Sequence, residues 1–390
     1  MRLSLMLTST IALLAACSGG GAAPPNPLSS AGVRPAPVPN VRSADRVRAV
    51  TLYTLSNGAA HNQVVSFVPR DGRLEYDQSF DTGGLGEPSI AGTVQGSIAH
   101  SDDGRFLFAV DAGSNEITSF RIDSNGLQFV DKVASRGMEP VSLAVHGDLL
   151  FVLNEASSSI SGFRITRNGA LRSIQKSSAP LSGTNVGPAE ISFDPGGKVL
   201  VVTEKATNDI DTYSVAKGIP TGPTVHSSSG MTPFGFAFVP GNEIMVVSEA
   251  FGGTSGAGAA SSYMVAPPST LTPISMSVPD HNTAPCWVVI TRNGSFAFTS
   301  NTASATISAY AIDEMGNLTL TTPNGVSAQT GQSPTDLALG PRDTYLFVLN
   351  LKSRTIGAYA IGSGGALTTV RGAHGLPPHA MGLAAVSTEF

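Results

Sequence analysis

The chain has 390 residues and a formal net charge of −5, and only 13% of its residues are charged. This weakly acidic and sparsely charged composition excludes the basic surface that binds nucleic acid or anionic membranes. The 43 glycines and 26 prolines supply turn-forming residues throughout, which indicates a fold made of many short hairpins.

An apolar run from Leu3 to Leu14 follows Arg2 and leads to Ala15-Ala16-Cys17. Such a short run behind one positive charge is typical of a secretory signal rather than a spanning helix. The small residues before Cys17 resemble a bacterial lipobox, in which the cysteine is lipidated; the alternative is an ordinary signal peptide. We predict a signal peptide over 1–16 and lipidation of Cys17. The protein would then be lipid-anchored in the cell envelope, at the outer membrane.

Residues 17–46 are rich in Gly, Ala, Ser and Pro, as in GGGAAPPNP and RPAPVPN. A segment with so few apolar residues cannot pack, and it predicts an extended, unstructured tether. We expect the folded domain to span residues 47–390.

Within that domain one pattern returns seven times, about every 43 to 54 residues. Each copy has an apolar strand that ends in a polar residue, followed by a second strand with an aromatic residue near its end. The polar residues are Asn57, Asp111, Asn154, Glu204, Glu249, Asn301 and Asn350, which we call the turn ring. Repeats of this length with several short strands predict an all-β, seven-bladed β-propeller of four-stranded blades.

The inner strand of most copies begins at a proline, where no ladder hydrogen bond is lost. These residues are Pro140, Pro188, Pro233, Pro285 and Pro334, whereas blade two begins through Gln95-Gly96. The first copy has no inner strand, and the chain ends in an inner strand without a blade. The C-terminal strand is therefore predicted to join blade one and close the ring, which removes two sheet edges.

Inner strands line the channel of a propeller, and the residue two positions after each opening proline is expected to face it. This channel ring comprises Ser97, Ser142, Glu190, Gly235, Trp287, Asp336 and Ala380. Glu190 and Asp336 are candidate catalytic or ligand-binding groups, or carboxylates satisfied by backbone donors and channel water. Trp287, the only tryptophan, is a candidate stacking platform for a ligand or a core aromatic between blades.

The turn ring also has two interpretations. Asn, Asp and Glu at a hairpin commonly bond to the nearby backbone. Alternatively, Glu204 and Glu249 on adjacent blades form a carboxylate cluster that serves as an acid/base pair or binds a divalent cation. Glu204 and Asp111 are also candidate ligand-binding residues. No clear set of metal ligands is present, so we predict no cofactor. His379 and His100 are candidate bases, and His100 is expected to pack in the core because it falls on an apolar strand position.

The blade units resemble those of the lactonase family of seven-bladed propellers, which includes 6-phosphogluconolactonases and carboxymuconate-lactonizing enzymes. The resemblance covers about residues 47–386 and rests on units such as DDGRFLF (102–108) and FVLN (347–350), which YVTN-type surface propellers share. It implies a lactone-hydrolysing site where blade four begins. Family members carry Pro-His-x-His-Ser there, whereas this chain has Pro188-Ala189-Glu190, and only Glu249 matches the family pattern.

The channel ring contains no Arg or Lys, the side chains that recognise an anionic lactone. We therefore predict a binding or scaffold module with a degenerate lactonase site, monomeric, with a small molecule or a protein bound at the channel mouth. The alternative is a hydrolase of a carbohydrate-derived lactone, with Glu249 as base assisted by Glu190 or His379. Neither interpretation involves nucleic acid, and both place the protein at the membrane through its lipid alone.

Overall fold

The computed structural model describes residues 49–388, so the predicted signal peptide, Cys17 and the tether lie outside it. Within this range, thirty strands form seven antiparallel sheets arranged as a ring of blades. The helices of the same range are five short 3-10 turns, at Pro88–Ile90, Ala112–Ser114, Phe251–Gly253, Pro341–Asp343 and Ser363–Gly365. None of these helices is long and apolar enough to cross a membrane. The prediction of an all-β, seven-bladed propeller is confirmed.

The strands follow one another blade by blade. Blade one contains β1 (Ala49–Leu55), β2 (Gln63–Arg70) and β3 (Arg73–Asp81), and blade two contains β4 (Ile98–His100), β5 (Phe106–Asp111), β6 (Glu116–Asp123) and β7 (Gly126–Ala134). Blade three contains β8 (Pro140–His146), β9 (Leu149–Asn154), β10 (Ser159–Ile165), β11 (Leu171–Ser173) and β12 (Ala179–Pro180). Blade four contains β13 (Pro188–Phe193), β14 (Val199–Glu204), β15 (Asp209–Ala216) and β16 (Ile219–Ser227).

The remaining blades have the same order. Blade five contains β17 (Pro233–Phe238), β18 (Ile244–Glu249), β19 (Ala259–Ala266) and β20 (Thr270–Pro279). Blade six contains β21 (Pro285–Ile290), β22 (Phe296–Asn301), β23 (Thr306–Ile312), β24 (Leu318–Leu320) and β25 (Ala328–Gln329). Blade seven contains β26 (Pro334–Leu339), β27 (Tyr345–Asn350), β28 (Thr355–Ile361) and β29 (Leu367–His374), and β30 (Met381–Thr388) follows. In blades three and six the outer strand is split into two pieces, β11 with β12 and β24 with β25.

Blade one is built from both ends of the described range. Its strand order is β3-β2-β1-β30, so β30 is its inner strand. β30 pairs antiparallel with β1 from Ala49↔Thr388 to Leu55↔Met381. This confirms the predicted closure of the ring by the C-terminal strand.

The second strand of each blade is the most apolar. Every residue of β5, β14 and β18 is buried, because a blade packs against a neighbour on both of its faces. A continuous apolar run, rather than an alternating one, is the pattern that such burial requires. Aromatic side chains of the third strands fill the space between blades, and Tyr213, Tyr263 and Tyr310 are completely buried.

The inner strands run from one end of the channel, which we call the upper end, to the lower end. Most of them carry a β-bulge just after the opening proline. In blade four, Pro188 pairs with Glu204, and the next paired residue, Glu190, lies opposite Thr203. In blade seven the same shift brings Asp336 opposite Leu349. Bulges redirect side chains, and this one sets the orientation of the channel ring.

Candidate functional site

The upper end of the channel is filled by residues 88–96, which we call the plug. They belong to the connection between β3 and β4, and Ile90 and Val94 within them are only 6% and 2% exposed. The backbone of the plug bonds to two inner strands: Gln95 N donates to Ala189 O at 3.1 Å, and Leu143 N donates to Gly96 O at 2.8 Å. The plug is therefore held in the channel by backbone hydrogen bonds to the inner strands of blades three and four.

Gln95 is the polar centre of the plug. Its Nε2 donates to Val288 O at 3.1 Å, and its Oε1 accepts from Val288 N at 3.3 Å. The facing channel-ring position is Gly235, where an added Cβ would lie 2.1 Å from Gln95 Oε1. A glycine at position 235 is thus what allows Gln95 to reach the channel wall.

Trp287 of blade six and Lys205 of blade four also bind the plug. Trp287 is completely buried, lies 5.3 Å from the ring of Phe234, and donates from Nε1 to Val94 O at 3.1 Å. Lys205 Nζ donates to Thr93 O at 2.6 Å and lies 4.8 Å from the centre of the Phe234 ring. Burial lowers the pKa of Lys205, and a neighbouring glutamate opposes this. These contacts fit the interpretation of Trp287 as a core aromatic.

Below the plug, two recesses are present at the lower end of the channel. The larger has a volume of about 460 Å³, and its lining includes Gln95, Glu190 and His146. The smaller, about 320 Å³, is lined by residues of blades two, three, seven and one. Both touch Val145 and Leu339, so they adjoin each other. This lower pocket is the candidate ligand site, at the end opposite to the turn ring.

Two buried carboxyl groups characterise the channel wall. Glu190 Oε2 accepts from Phe236 N at 2.7 Å, and Asp336 Oδ1 accepts from Leu337 N at 2.7 Å. Burial raises the pKa of Glu190 well above its ordinary value, and the charge of Asp336 adds to this. Burial also raises the pKa of Asp336, to about 8. Asp336 is therefore largely protonated at pH 7, and burial favours the protonated form of Glu190 as well. A protonated carboxyl can donate as well as accept a hydrogen bond.

Glu249 and Asp111 of the turn ring are buried structural residues whose carboxyl groups accept several hydrogen bonds. Glu249 is fully buried and accepts from Gly230 N at 2.8 Å, from Ser277 Oγ at 2.5 Å and from Ser261 Oγ. Asp111 accepts in the same manner from two threonine hydroxyls and one asparagine amide. Burial raises the pKa of both carboxyls, and these donors oppose the rise. Neither residue lines the channel recesses.

Glu204 is paired with Asp211 rather than with Glu249. Ser182 N donates to Glu204 Oε1 at 3.2 Å and to Asp211 Oδ2 at 2.8 Å. Burial raises the pKa of Asp211 to about 8, and the charge of Glu204 contributes. At neutral pH Asp211 therefore largely holds a proton beside Glu204. The equivalent of Asp211 is a hydroxyl residue in four other blades, namely Thr118, Ser161, Ser261 and Ser308.

The candidate bases lie apart from one another. His379 is exposed in the connection between β29 and β30. His100 is also exposed, with Nδ1 2.9 Å from Ser101 O, and it lines the smaller recess. The expectation that His100 packs in the core is wrong, because β4 ends there and its last residue reaches the lower rim. Across residues 49–388, no group of three or more His, Cys, Asp or Glu is arranged to hold a metal ion.

Sequence reasoning missed the plug, together with the roles of Gln95 and Lys205. Two signals were available. Blade two begins without a proline, and the connection before it carries the apolar residues Ile90 and Val94 in a glycine-rich stretch. Buried apolar residues in a long connection indicate that the connection packs inside the fold.

Comparisons with known proteins agree with this architecture. The family model described as lactonase, seven-bladed β-propeller, matches residues 48–185, 146–254 and 263–379. The periplasmic gluconolactonase of Pseudomonas aeruginosa is 18% identical with a TM-score of 0.61, over 87% of this chain and 99% of that one. A candidate 6-phosphogluconolactonase of Bacteroides fragilis is 17% identical with a TM-score of 0.66, over 87% and 98%.

A third similar structure, of a protein from Lactobacillus plantarum, is 18% identical with a TM-score of 0.68, over 87% of this chain and 99% of that one. At such identities the structures establish the fold alone. No curated protein sequence matches significantly. The family match covers most of the propeller, and the chain therefore belongs to the family of seven-bladed β-propeller lactonases.

Proposed function

We propose that the protein is a binding module whose ligand site is the lower pocket of the channel. The observation that carries this proposal is the plug, which fills the upper end and bonds to the channel wall through Gln95, Trp287 and Lys205. The larger recess below it, about 460 Å³, is of a size that suits a small molecule. A ligand in this pocket would rest against Gln95.

The ligand we propose is neutral and rich in hydroxyl groups. Glu190 lines the recess, and burial favours its protonated form, which can donate to one hydroxyl and accept from another. No Lys or Arg is among the residues that line the two recesses in the described range, so an anion would find no guanidinium or ammonium partner. Sugars and their uncharged lactones meet both conditions.

Hydrolysis of such a lactone is the second candidate function. The observation in its favour is the pair of channel carboxyls, because burial raises the pKa of both. Glu190, which lines the larger recess, would donate a proton to the lactone. Asp336 does not itself line a recess but precedes Leu337 of the smaller one, and once ionised it would activate a water molecule there. The family and the likeness to a periplasmic gluconolactonase support this alternative. Glu249 and His379, which are outside the recesses, would not contact the substrate.

One experiment separates the two functions. The full-length protein is titrated calorimetrically with a panel of aldoses and aldonolactones, while ring opening of each lactone is followed in a pH-stat. A binding module should bind members of the panel without accelerating ring opening. Acceleration that is lost in Glu190→Gln and kept in Glu249→Gln would refute the proposal and establish the hydrolase.

The pH dependence of binding provides a second test. Ionisation of Asp336, whose pKa is about 8, places a negative charge near Glu190, and this charge raises the pKa of Glu190. Glu190 should therefore keep its proton, and the protein its affinity for the ligand, to a higher pH than in Asp336→Asn, where that charge is absent. Loss of affinity at the same pH in both proteins would contradict the contact between Glu190 and the ligand.

The remaining part of the proposal concerns location. We propose that Cys17 carries a lipid, that residues 17–46 form a tether, and that the protein works as a monomer in the bacterial envelope, at the outer membrane. It would need no cofactor. The apolar run before Cys17 and the composition of 17–46 support this. Cells fed a labelled fatty acid should label the protein but not Cys17→Ala, and absence of label in both would refute the anchor.

A further inference from the structure

A separate cavity of about 590 Å³ lies between the lower turns of blades six and seven. Its walls are the turn that follows β21, at 291–293, and the turn Pro341–Asp343 that follows β26. Phe296 and Ile361 add apolar surface, and the turn after β28 adds the hydroxyl of Ser363. None of these lining residues is shared with the two channel recesses.

Arg292 and Arg342 border this cavity. Five other arginines of the described range form ion pairs with carboxylates, namely Arg70, Arg73, Arg105, Arg164 and Arg172. Neither Arg292 nor Arg342 takes part in an ion pair of that range. The single carboxylate of the cavity wall, Asp343, accepts from the backbone N of Arg292 at 2.5 Å. Two guanidinium groups against one carboxylate leave the cavity with an excess of positive charge.

The backbone of this turn is unusual among the blades. Arg342 and Asp343 have φ values of 57° and 53°, in the left-handed region. In blades two, four and six the residue equivalent to Asp343, two positions before the second strand, is a glycine (Gly104, Gly197 and Gly294), and in blade five Gly241 is equivalent to Arg342. Left-handed backbone is unfavourable for an arginine and costs glycine little. Strain retained at a position where glycine is the easier choice points to a functional constraint on the side chain.

We propose that this cavity binds a small organic anion, with a phosphate or carboxylate group held by Arg292 and Arg342. A guanidinium offers a planar pair of N–H donors that matches either group. Phe296 and Ile361 provide contact for an apolar or ring-shaped body. The site is distinct from the channel pocket, where no Lys or Arg is among the residues that line the two recesses.

The test uses the full-length protein and phenyl phosphate, titrated by calorimetry at low ionic strength. Arg292→Gln and Arg342→Gln should each weaken binding about tenfold or more, the effect of losing a charge-assisted hydrogen bond. Arg167→Gln is the matched control, because Arg167 is exposed in a turn of blade three, and it should change nothing. Equal weakening by all three substitutions, or no binding to the unmodified protein, would overturn the proposal.

Further probes define the ligand chemistry. Benzoate in place of phenyl phosphate distinguishes a carboxylate from a phosphate preference. Inorganic phosphate should bind more weakly than phenyl phosphate, because it lacks a body that reaches Phe296. Binding of benzyl alcohol as tight as that of phenyl phosphate would show that the arginines do not hold an anion, and would overturn the proposal.

Arg342→Gly separates binding from folding. Glycine relieves the left-handed backbone, so this variant should unfold at a higher temperature than the unmodified protein while losing its affinity for phenyl phosphate. Loss of binding in a more stable protein cannot be attributed to misfolding. A lower unfolding temperature would show that Arg342 has a structural role instead, and retained affinity would show that it does not hold the anion.

Discussion

Asp211→Ser should stabilise the protein, because it replaces the second carboxyl of the Glu204 pair with the hydroxyl that blade five uses at Ser261. The pKa of Asp211 is about 8 in the fold against an ordinary 3.8. At pH 7 this rise in the pKa of Asp211 lowers the free energy of unfolding by up to about 4 kcal/mol. Because the substitution also removes the hydrogen bonds that Asp211 accepts from Ser182 N and Tyr213 Oη, we expect about half of this, ~2 kcal/mol.

The sign of the pH dependence follows from the direction of the shift. Between pH 4 and 8 the folded protein holds a proton that the unfolded chain has released, so its stability falls as the pH rises. The gain from Asp211→Ser should thus be near zero at pH 4 and largest above pH 8, as measured by urea unfolding. Ser261→Asp, the reverse change in blade five, should lower the free energy of unfolding, with an effect near zero at pH 4 and largest above pH 8. A gain that does not vary with pH would refute the raised pKa of Asp211.

Three further outcomes are expected. Trp287→Phe removes the hydrogen bond to Val94 and should lower the stability by about 1 kcal/mol while speeding amide exchange in the plug. Gly235→Ala places a Cβ 2.1 Å from Gln95 Oε1, so the plug should lose protection without global unfolding; unchanged exchange would contradict its role. Glu249→Gln leaves one of three donors without an acceptor and should reduce the stability by about 1–3 kcal/mol. Glu249→Gln should leave ligand binding in the channel intact. Lost binding at unchanged stability would contradict the structural role of Glu249.

The sequence was sufficient to predict the blades because repetition makes each position comparable with six others. Seven copies of one pattern predict the number of blades, and the unpaired elements at the two ends predict that β30 joins β1. The opening prolines located the inner strands of five blades, since a proline is tolerated at the first residue of a strand. These predictions depend on local patterns, which the chain itself displays.

The site was harder to predict because it depends on a part that does not repeat. The plug occurs once, so no comparison between blades identifies it. Gly235 has no side chain, and nothing in the sequence indicates that Gln95 packs against it. The partner of Glu204 was also missed. Adjacency of blades suggested Glu249, whereas strand pairing places Asp211 opposite Val202, within the same blade.

The pairing of β30 with β1 also determines the order in which the molecule can be completed during biosynthesis. Residues 49–81 are the first of the described range to be made, yet their blade lacks its inner strand until residues 381–388 have followed. Throughout the synthesis of the other six blades the nascent chain is an open strip, with β1 exposing an unpaired edge. An edge of this kind can recruit strands from another molecule. Premature folding during synthesis is therefore the hazard that this topology creates, and a chain kept unfolded until its last strand is available avoids it.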